Sequence, residues 1–291
     1  MLLCSYPLGL SFFKAESNSN VSCNDKEKQA LLSFKQGLIN SENLLSSWTK
    51  QKDCCRWDGI LSDNITARVT VLHLNFSWDG DEDFNYRKRL GGAISHSLLE
   101  LEHLNCLDLS ENEFNCTGIP SFLGSMGSMR HLDLHETGFC GVIPYQLGNL
   151  SSLHYLNLGH NFGLYADNLH WMSSLSSIQY LDLISADLHS EVDWLQIMSK
   201  FPSLSELYLH HCQLNSLNLS LASVNFTSLT GKHGCSSRAT APALTHVDTL
   251  ICHRRTNLPP FFFFFFFFLS RNWPKPAETH VKKIKLKLNL S

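Results

Sequence analysis

Between Leu104 and Leu214 one spacing recurs five times, and it leaves the chain little choice of fold. Leu104, Leu107, Leu109, Asn112 and Phe114 are answered by Met129, Leu132, Leu134, Thr137 and Phe139, then by Leu153, Leu156, Leu158, Asn161 and Phe162 with Leu164. Ile178, Leu181, Leu183, Ala186 and Leu188 come next, followed by Leu204, Leu207, Leu209, Cys212 and Leu214. The copies start 24 to 26 residues apart, and Val69, Leu72 and Leu74 form an earlier, degenerate one. Residues two apart in a strand share a face, so Leu107 and Leu109 turn inward while Cys106, Asp108 and Ser110 turn outward. No copy can bury its own leucines, so neighbours must stack and share one core. The expected product is a solenoid with a curved parallel sheet, one strand per copy, and a concave face made of the outward residues.

The period falls inside the leucine-rich-repeat window of roughly 20 to 29 residues, which makes the fold class α/β. The position of Asn112, Thr137, Asn161, Ala186 and Cys212 calls for a buried polar side chain that satisfies the turn. Ala186 cannot supply one, and Cys212 only weakly. Two copies continue as Gly118-Ile119-Pro120 and Gly141-Val142-Ile143-Pro144, then Leu123-Gly124 and Leu147-Gly148. Proline ends hydrogen bonding on one side and glycine permits the bend, so the backbone turns away along the flank. These flanks resemble the plant-specific class of extracellular leucine-rich repeats.

Ahead of the repeats, residues 21–64 read as a cap. Cys23 to Leu38 has the pattern of an amphipathic helix, with Asn24 or Asp25 as N-cap, Gly37 near its end, and Ala30, Leu31, Phe34 and Leu38 on one face. With Leu45 to Trp48 and Asp53 to Gly59 it resembles the N-terminal cap of plant leucine-rich-repeat receptor kinases, receptor-like proteins and polygalacturonase inhibitors. In that family four cysteines close two bridges, and the fourth would lie at Ser62. The resemblance implies a Cys23–Cys54 bridge with Cys55 unpaired, a Cys23–Cys55 bridge being the alternative.

Asn168 to Trp171, Tyr180 to Leu183, Asp193 to Gln196 and Phe201 to Leu204 look like receptor-like proteins of the ethylene-inducing-xylanase receptor group. This resemblance covers about residues 21–229. It implies a secreted or cell-surface protein, a role in defence or pattern recognition, a peptide, protein or glycan ligand, and a co-receptor kinase as partner. Residues 1–20 read as a signal peptide: Leu2 to Phe13 is apolar, although Pro7 interrupts it and no basic residue precedes it. About six repeats fill residues 65–229. A solenoid ending near Leu229 would leave the leucines of its last repeat uncovered.

Residues 230–291 differ. From Gly231 onward there are ten basic residues and two acidic ones, the leucine register stops, and Phe261 to Phe268 is a homopolymer. The segment reads as a non-homologous tail without structure, appended by intronic or frame-shifted sequence, and a non-functional truncated product is one reading of the whole. No apolar run reaches the roughly 18 residues of a membrane helix, and a net charge of -3 gives no reason to expect a nucleic-acid partner.

Other chemistry finds little footing. His131 and His135 are four apart on a strand, which does not make a helical metal-ligand pair, so they read as solvated. Asp79, Asp81 and Asp83 start like a calcium loop, but Phe84 and Leu90 take the glycine and glutamate positions. No metal, no cofactor and no enzymatic activity is expected, since the nucleophile-elbow and kinase motifs are missing. Asn20, Asn64, Asn75, Asn115, Asn149, Asn218, Asn225 and Asn289 open glycan acceptor triplets. What remains is binding. The outward residues Asp108, His131, Asp133, Tyr155, Tyr180, Asp182 and Tyr208 are the expected ligand site, with a secreted polygalacturonase-inhibitor-like protein as the rival function.

Overall fold

The computed structural model describes residues 22–76, 88–209, 211–214 and 285–287. The signal segment 1–20, the acidic insertion around Asp81, the end of the repeats beyond Leu214, and the acceptors Asn20, Asn218, Asn225 and Asn289 lie outside the described residues.

Helix α1 (Asp25–Gly37) is started by Asn24, whose Oδ1 accepts the amides of Lys26 and Glu27 at 2.9 and 3.3 Å. That side chain satisfies two of the four amides every helix leaves open at its start. Ala30, Leu31 and Phe34 turn to the core together with Glu27, a charged residue buried on the apolar face. Glu27 does not go unmatched there: its Oε2 accepts the Val69 amide at 3.0 Å and Arg68 stands 3.5 Å from Oε1. The helix is thereby tied to the first repeat. Leu38 leaves the helix and begins β1 (Leu38–Ile39), which pairs antiparallel with β4 (Gly91–Gly92). Trp48 and Trp57 stack with centroids 5.2 Å apart, and Trp48 Nε1 donates to the Asp58 carbonyl. Cys23 is bridged to Cys54, and Cys55 is a free thiol.

Among the described residues the main sheet has eight strands. From the cap outward it runs β2 (Ile60–Ser62), β3 (Val69–His73), β5 (Cys106–Asp108), β6 (His131–Asp133), β8 (Tyr155–Asn157), β10 (Tyr180–Asp182), β11 (Glu206–Tyr208) and β12 (Lys285–Lys287). Only β2 is antiparallel to its neighbour. The register is the one the repeat spacing demands, with Leu72, Leu107, Leu132, Leu156, Leu181 and Leu207 in one inward row. β12 lies inside the segment that sequence assigns to the tail.

Behind the sheet, short 3₁₀ turns at Ser121–Ser125 and Tyr145–Asn149 follow Pro120 and Pro144. Any side chain at Gly124 or Gly148 would run into the backbone of Gln146 or Trp171 in the next repeat. Helix α2 (Trp194–Ser199) takes the equivalent place further along. On the flank, β7 (Cys140–Val142) and β9 (Gly163–Tyr165) make a second parallel sheet, and Gly141 there has φ +87°. A second disulfide, Cys116–Cys140, staples two successive flanks. Sequence analysis missed it, although the two cysteines are 24 residues apart, one repeat period.

The polar position of each turn works in the first half of the solenoid. Asn112 Nδ2 donates to the carbonyls of Leu74 and Leu109 at 2.9 and 2.8 Å, and its Oδ1 accepts the Leu90 amide. Asn161 does the same toward Leu134 and Leu158, and its Oδ1 accepts from Thr137. Further on, Ala186 brings no polar group, and the Cys212 thiol donates weakly to the Leu183 carbonyl.

Candidate functional site

Two columns of outward residues run across the concave face. Val71, Cys106, His131, Tyr155, Tyr180 and Glu206 share the first register position, and His73, Asp108, Asp133, Asn157, Asp182 and Tyr208 share the second. All seven residues expected at the ligand site are therefore brought together. His73 and Asn157, outward by the repeat spacing but not among the seven, complete the second column.

In the first column the rings stack. His131 lies on Tyr155 at 4.0 Å and 7°, and Tyr155 on Tyr180 at 4.2 Å and 13°. Tyr208, from the second column, meets Tyr180 at 5.3 Å and 39°. His131 is thus not the solvated histidine expected, because the ladder takes it in, and burial pulls its pKa down to about 4. Stacked, rigid rings offer a large contact area at little entropic cost.

The second column is electrostatic. Its strand-end carboxylates also cap the turns that follow: Asp108, Asp133 and Asp182 accept the amides of Ser110, His135 and Ile184 at 2.9, 3.0 and 2.9 Å. Asn157 does this for Gly159 at 3.0 Å. Their second oxygens diverge in partner. His73 Nδ1 lies 2.8 Å from Asp108 Oδ2. Burial acts against both charges of that pair, but their mutual attraction outweighs it, raising the His73 pKa and lowering that of Asp108. Asp133 Oδ2 accepts only neutral donors, the Tyr155 hydroxyl at 3.1 Å and Asn157 Nδ2 at 3.3 Å. Burial and the neighbouring Asp108 charge push its carboxyl up to about 7. Asp182, reached by the Tyr180 hydroxyl at 3.4 Å, is raised to about 6 by burial. Burial also raises Tyr155, Tyr180 and Tyr208, which keeps the phenols neutral donors. Tyr208 donates to Glu206 at 2.8 Å.

Of the acceptor asparagines in the described residues, Asn64, Asn115 and Asn149 are exposed. Asn75 is half-buried on the concave side and donates to Ser110 Oγ at 2.9 Å. Among the described residues the one grouping with metal-ligand atoms close together is Cys23, Asp53 and Cys54, and its two sulfurs are joined in the disulfide. Asp187, His189 and Ser190 line up in a relay, with contacts of 2.9 and 3.1 Å, but on an exposed turn where water would screen any reacting group. No helix of the described residues is long and apolar enough to cross a membrane.

Residues 24–61 match the leucine rich repeat N-terminal domain family. The chain is 44% identical over 221 residues to receptor-like protein EIX1 of Solanum lycopersicum, a match covering 73% of this chain and 21% of that protein. Among solved structures it resembles the PEPR1–AtPEP1 crystal structure, at 26% identity and TM-score 0.51, over 71% of this chain and 28% of that one. It also shares its fold with the Arabidopsis receptor kinase HAESA, solved in complex with the peptide hormone IDA and the co-receptor SERK1. That likeness has 21% identity and TM-score 0.50 over 72% and 37% of the two chains. These findings bear out the resemblance to plant leucine-rich-repeat receptor-like proteins of the EIX group and the α/β repeat fold. The chain spans about a fifth of the length of that relative.

Proposed function

We propose that this chain is ligand-recognising sequence of a plant cell-surface receptor-like protein acting in defence perception, and that it binds rather than catalyses. The ligand is an extended peptide lying across the concave face, against the aromatic ladder of His131, Tyr155 and Tyr180 and the carboxylates Asp133 and Asp182. One observation carries this reading: the ladder and the column of Asp133, Asn157 and Asp182 stand side by side in a single register over three strands, β6, β8 and β10. Stacked rings supply apolar contact, while carboxylates held by neutral donors favour amide hydrogens and cationic side chains. A peptide offers both along its length, whereas a neutral polysaccharide offers C–H faces and hydroxyls but no cationic group. A co-receptor kinase as signalling partner fits the reading, as HAESA was solved with one. An extracellular or plasma-membrane location fits it equally.

The test is a peptide array, with basic, neutral and acidic sequences, and an oligosaccharide array, both probed with the full chain and with its Asp133→Asn and Asp182→Asn variants. Selection of basic peptides that weakens about tenfold or more in each variant is the expected result. Retention of oligosaccharides alone, or selection unchanged by both substitutions, would sink the assignment to this face.

A further inference from the structure

The last described repeat keeps its leucines as deeply buried as those of mid-solenoid. Leu204, Leu207 and Leu209 belong to the last described repeat, yet they are 0%, 0% and 1% exposed, the same values as Leu104, Leu107 and Leu109 in mid-solenoid. The described element beyond them is β12. It is hydrogen-bonded in parallel to β11, with Glu206 opposite Lys285, Leu207 opposite Leu286 and Tyr208 opposite Lys287. This pairing continues the register that runs unbroken from β3.

The local sequence suits the position. Lys283, Lys285 and Lys287 alternate with Ile284, Leu286 and Leu288, the period of a strand with one apolar side. Leu286 occupies the register position of the inward leucine row, and the two lysines of β12 occupy those of the outward columns. Val281, Ile284 and Leu286 even reproduce the Leu-x-x-Leu-x-Leu spacing, two residues out of the observed register. A slip of two leaves every residue on its own face, so the signal is compatible with the pairing.

We propose that the edge of β11 is a strand-acceptor site and that its occupant is this chain's own strand β12, residues 285–287, which caps the solenoid in cis. An open sheet edge presents a row of unpaired amides and carbonyls, and filling it removes a template for association between chains. Parallel pairing needs a connection of a dozen or more residues, and far more than that separate Tyr208 from Lys285 in the sequence. Their number is no obstacle, because closure cost rises by only about 0.6 kcal/mol for each doubling of loop length. Basic residues at the outward positions also suit an edge, since charge there discourages a further strand from adding on.

Two measurements on the full chain decide the matter. Leu286→Pro removes an amide and fixes φ, which a ladder strand does not tolerate, whereas Leu286→Val keeps a good strand former. Amide exchange of the peptide containing Glu206 to Leu209 should accelerate at least about tenfold in the proline variant and stay unchanged in the valine variant, with the peptide containing Val69 to His73 as internal reference. Unchanged exchange at β11 in a folded proline variant would overturn the proposal. Should the proline variant fail to fold, a Glu206→Cys, Lys285→Cys double variant bridged by a short bis-maleimide supplies the answer. Peptide mapping should find positions 206 and 285 joined within one chain. A link only between two chains, or none, would refute a cap in cis.

Discussion

The two ends of the solenoid meet the same physical demand, to cover a leucine core and close a sheet, by different means. At the N-terminal end the cover has several layers: α1 seats Phe34 in the core, Glu27 holds the amide of β3, β2 adds an antiparallel strand and Cys23–Cys54 ties the start of α1 to the segment just before β2. At the C-terminal end the described cover is one strand of three residues, β12. A layered cap cannot leave without exposing a large part of the core. A single parallel strand can detach while the repeats beneath it persist. The teaching is that the first end sets global stability and the second sets local opening.

The largest effect should therefore come from the layered end. Phe34 is fully buried, and Phe34→Ala should cost about 3–5 kcal/mol of unfolding free energy in urea titration. Amide exchange in β11 should follow the global loss and no more. If β11 loses protection well beyond the rest of the sheet, the ends are coupled and the contrast between them fails.

Next comes the row of turn residues, which repeats the contrast inside the core. Asn161→Ala strips hydrogen bonds from the Leu134 and Leu158 carbonyls and from Thr137, and should cost about 2 kcal/mol. Cys212→Ala, at the same position near the other end, removes one weak donor and should cost clearly less, about 1 kcal/mol. Equal losses in thermal melts would mean that the thiol holds its turn as well as the amide does.

Much of this was readable in the chain. The inward leucines, the first cap helix, the Cys23–Cys54 bridge and both outward columns follow from spacing and resemblance, because a strand of period two fixes which way each residue turns. Spacing does not fix rotamers. The stacking of His131 on Tyr155, the capture of the Asn75 amide by Ser110 and the pairing of His73 with Asp108 were consequently out of reach. The Cys116–Cys140 bridge was legible in principle from its repeat-length separation. β12 was hidden for a different reason. Homopolymeric and basic surroundings masked a short alternation that, alone, is a weak signal.

A smaller gain is available at the layered end itself. Cys55 is within hydrogen-bonding reach of Ser62, which weakly offsets the burial that raises its thiol pKa. Ser62→Cys should close the second cap bridge. The loop is short, so the stabilisation should be about 1–2 kcal/mol. Thiol counting after mild oxidation should register no free thiol at position 55 and a raised melting temperature. A labelled Cys55 in the oxidised variant would show that the two side chains do not meet well enough to bond.

The smallest effect is also the one that joins stability to the proposed site. Along the second column the acid nearest the cap, Asp108, is neutralised by His73, whereas Asp133, one strand further toward the other end, has only neutral donors. Their pH dependences must then have opposite signs. Asp108 is held below its ordinary pKa, so its contribution is present above about pH 4 and lost as pH falls through its lowered value. Asp133 titrates near 7 when folded and near about 3.9 when unfolded, so the folded state binds its proton more tightly. Stability must fall as pH rises from about 4 to about 7 and level off above that. Asp133→Asn removes the titration while keeping the size of the side chain. At pH 8 the variant should be more stable than the parent by about 1 kcal/mol, because losing the acceptor oxygen for Tyr155 and Asn157, about 3 kcal/mol, offsets most of the roughly three pKa units, and the gain should shrink toward pH 5. Melting curves at the two pH values read this directly. A gain of the same size at both would mean that the charge of Asp133 costs the fold nothing. A gain confined to high pH, paired with weaker capture of basic peptides by the same variant, would mean that the carboxylate is kept for binding at the expense of stability.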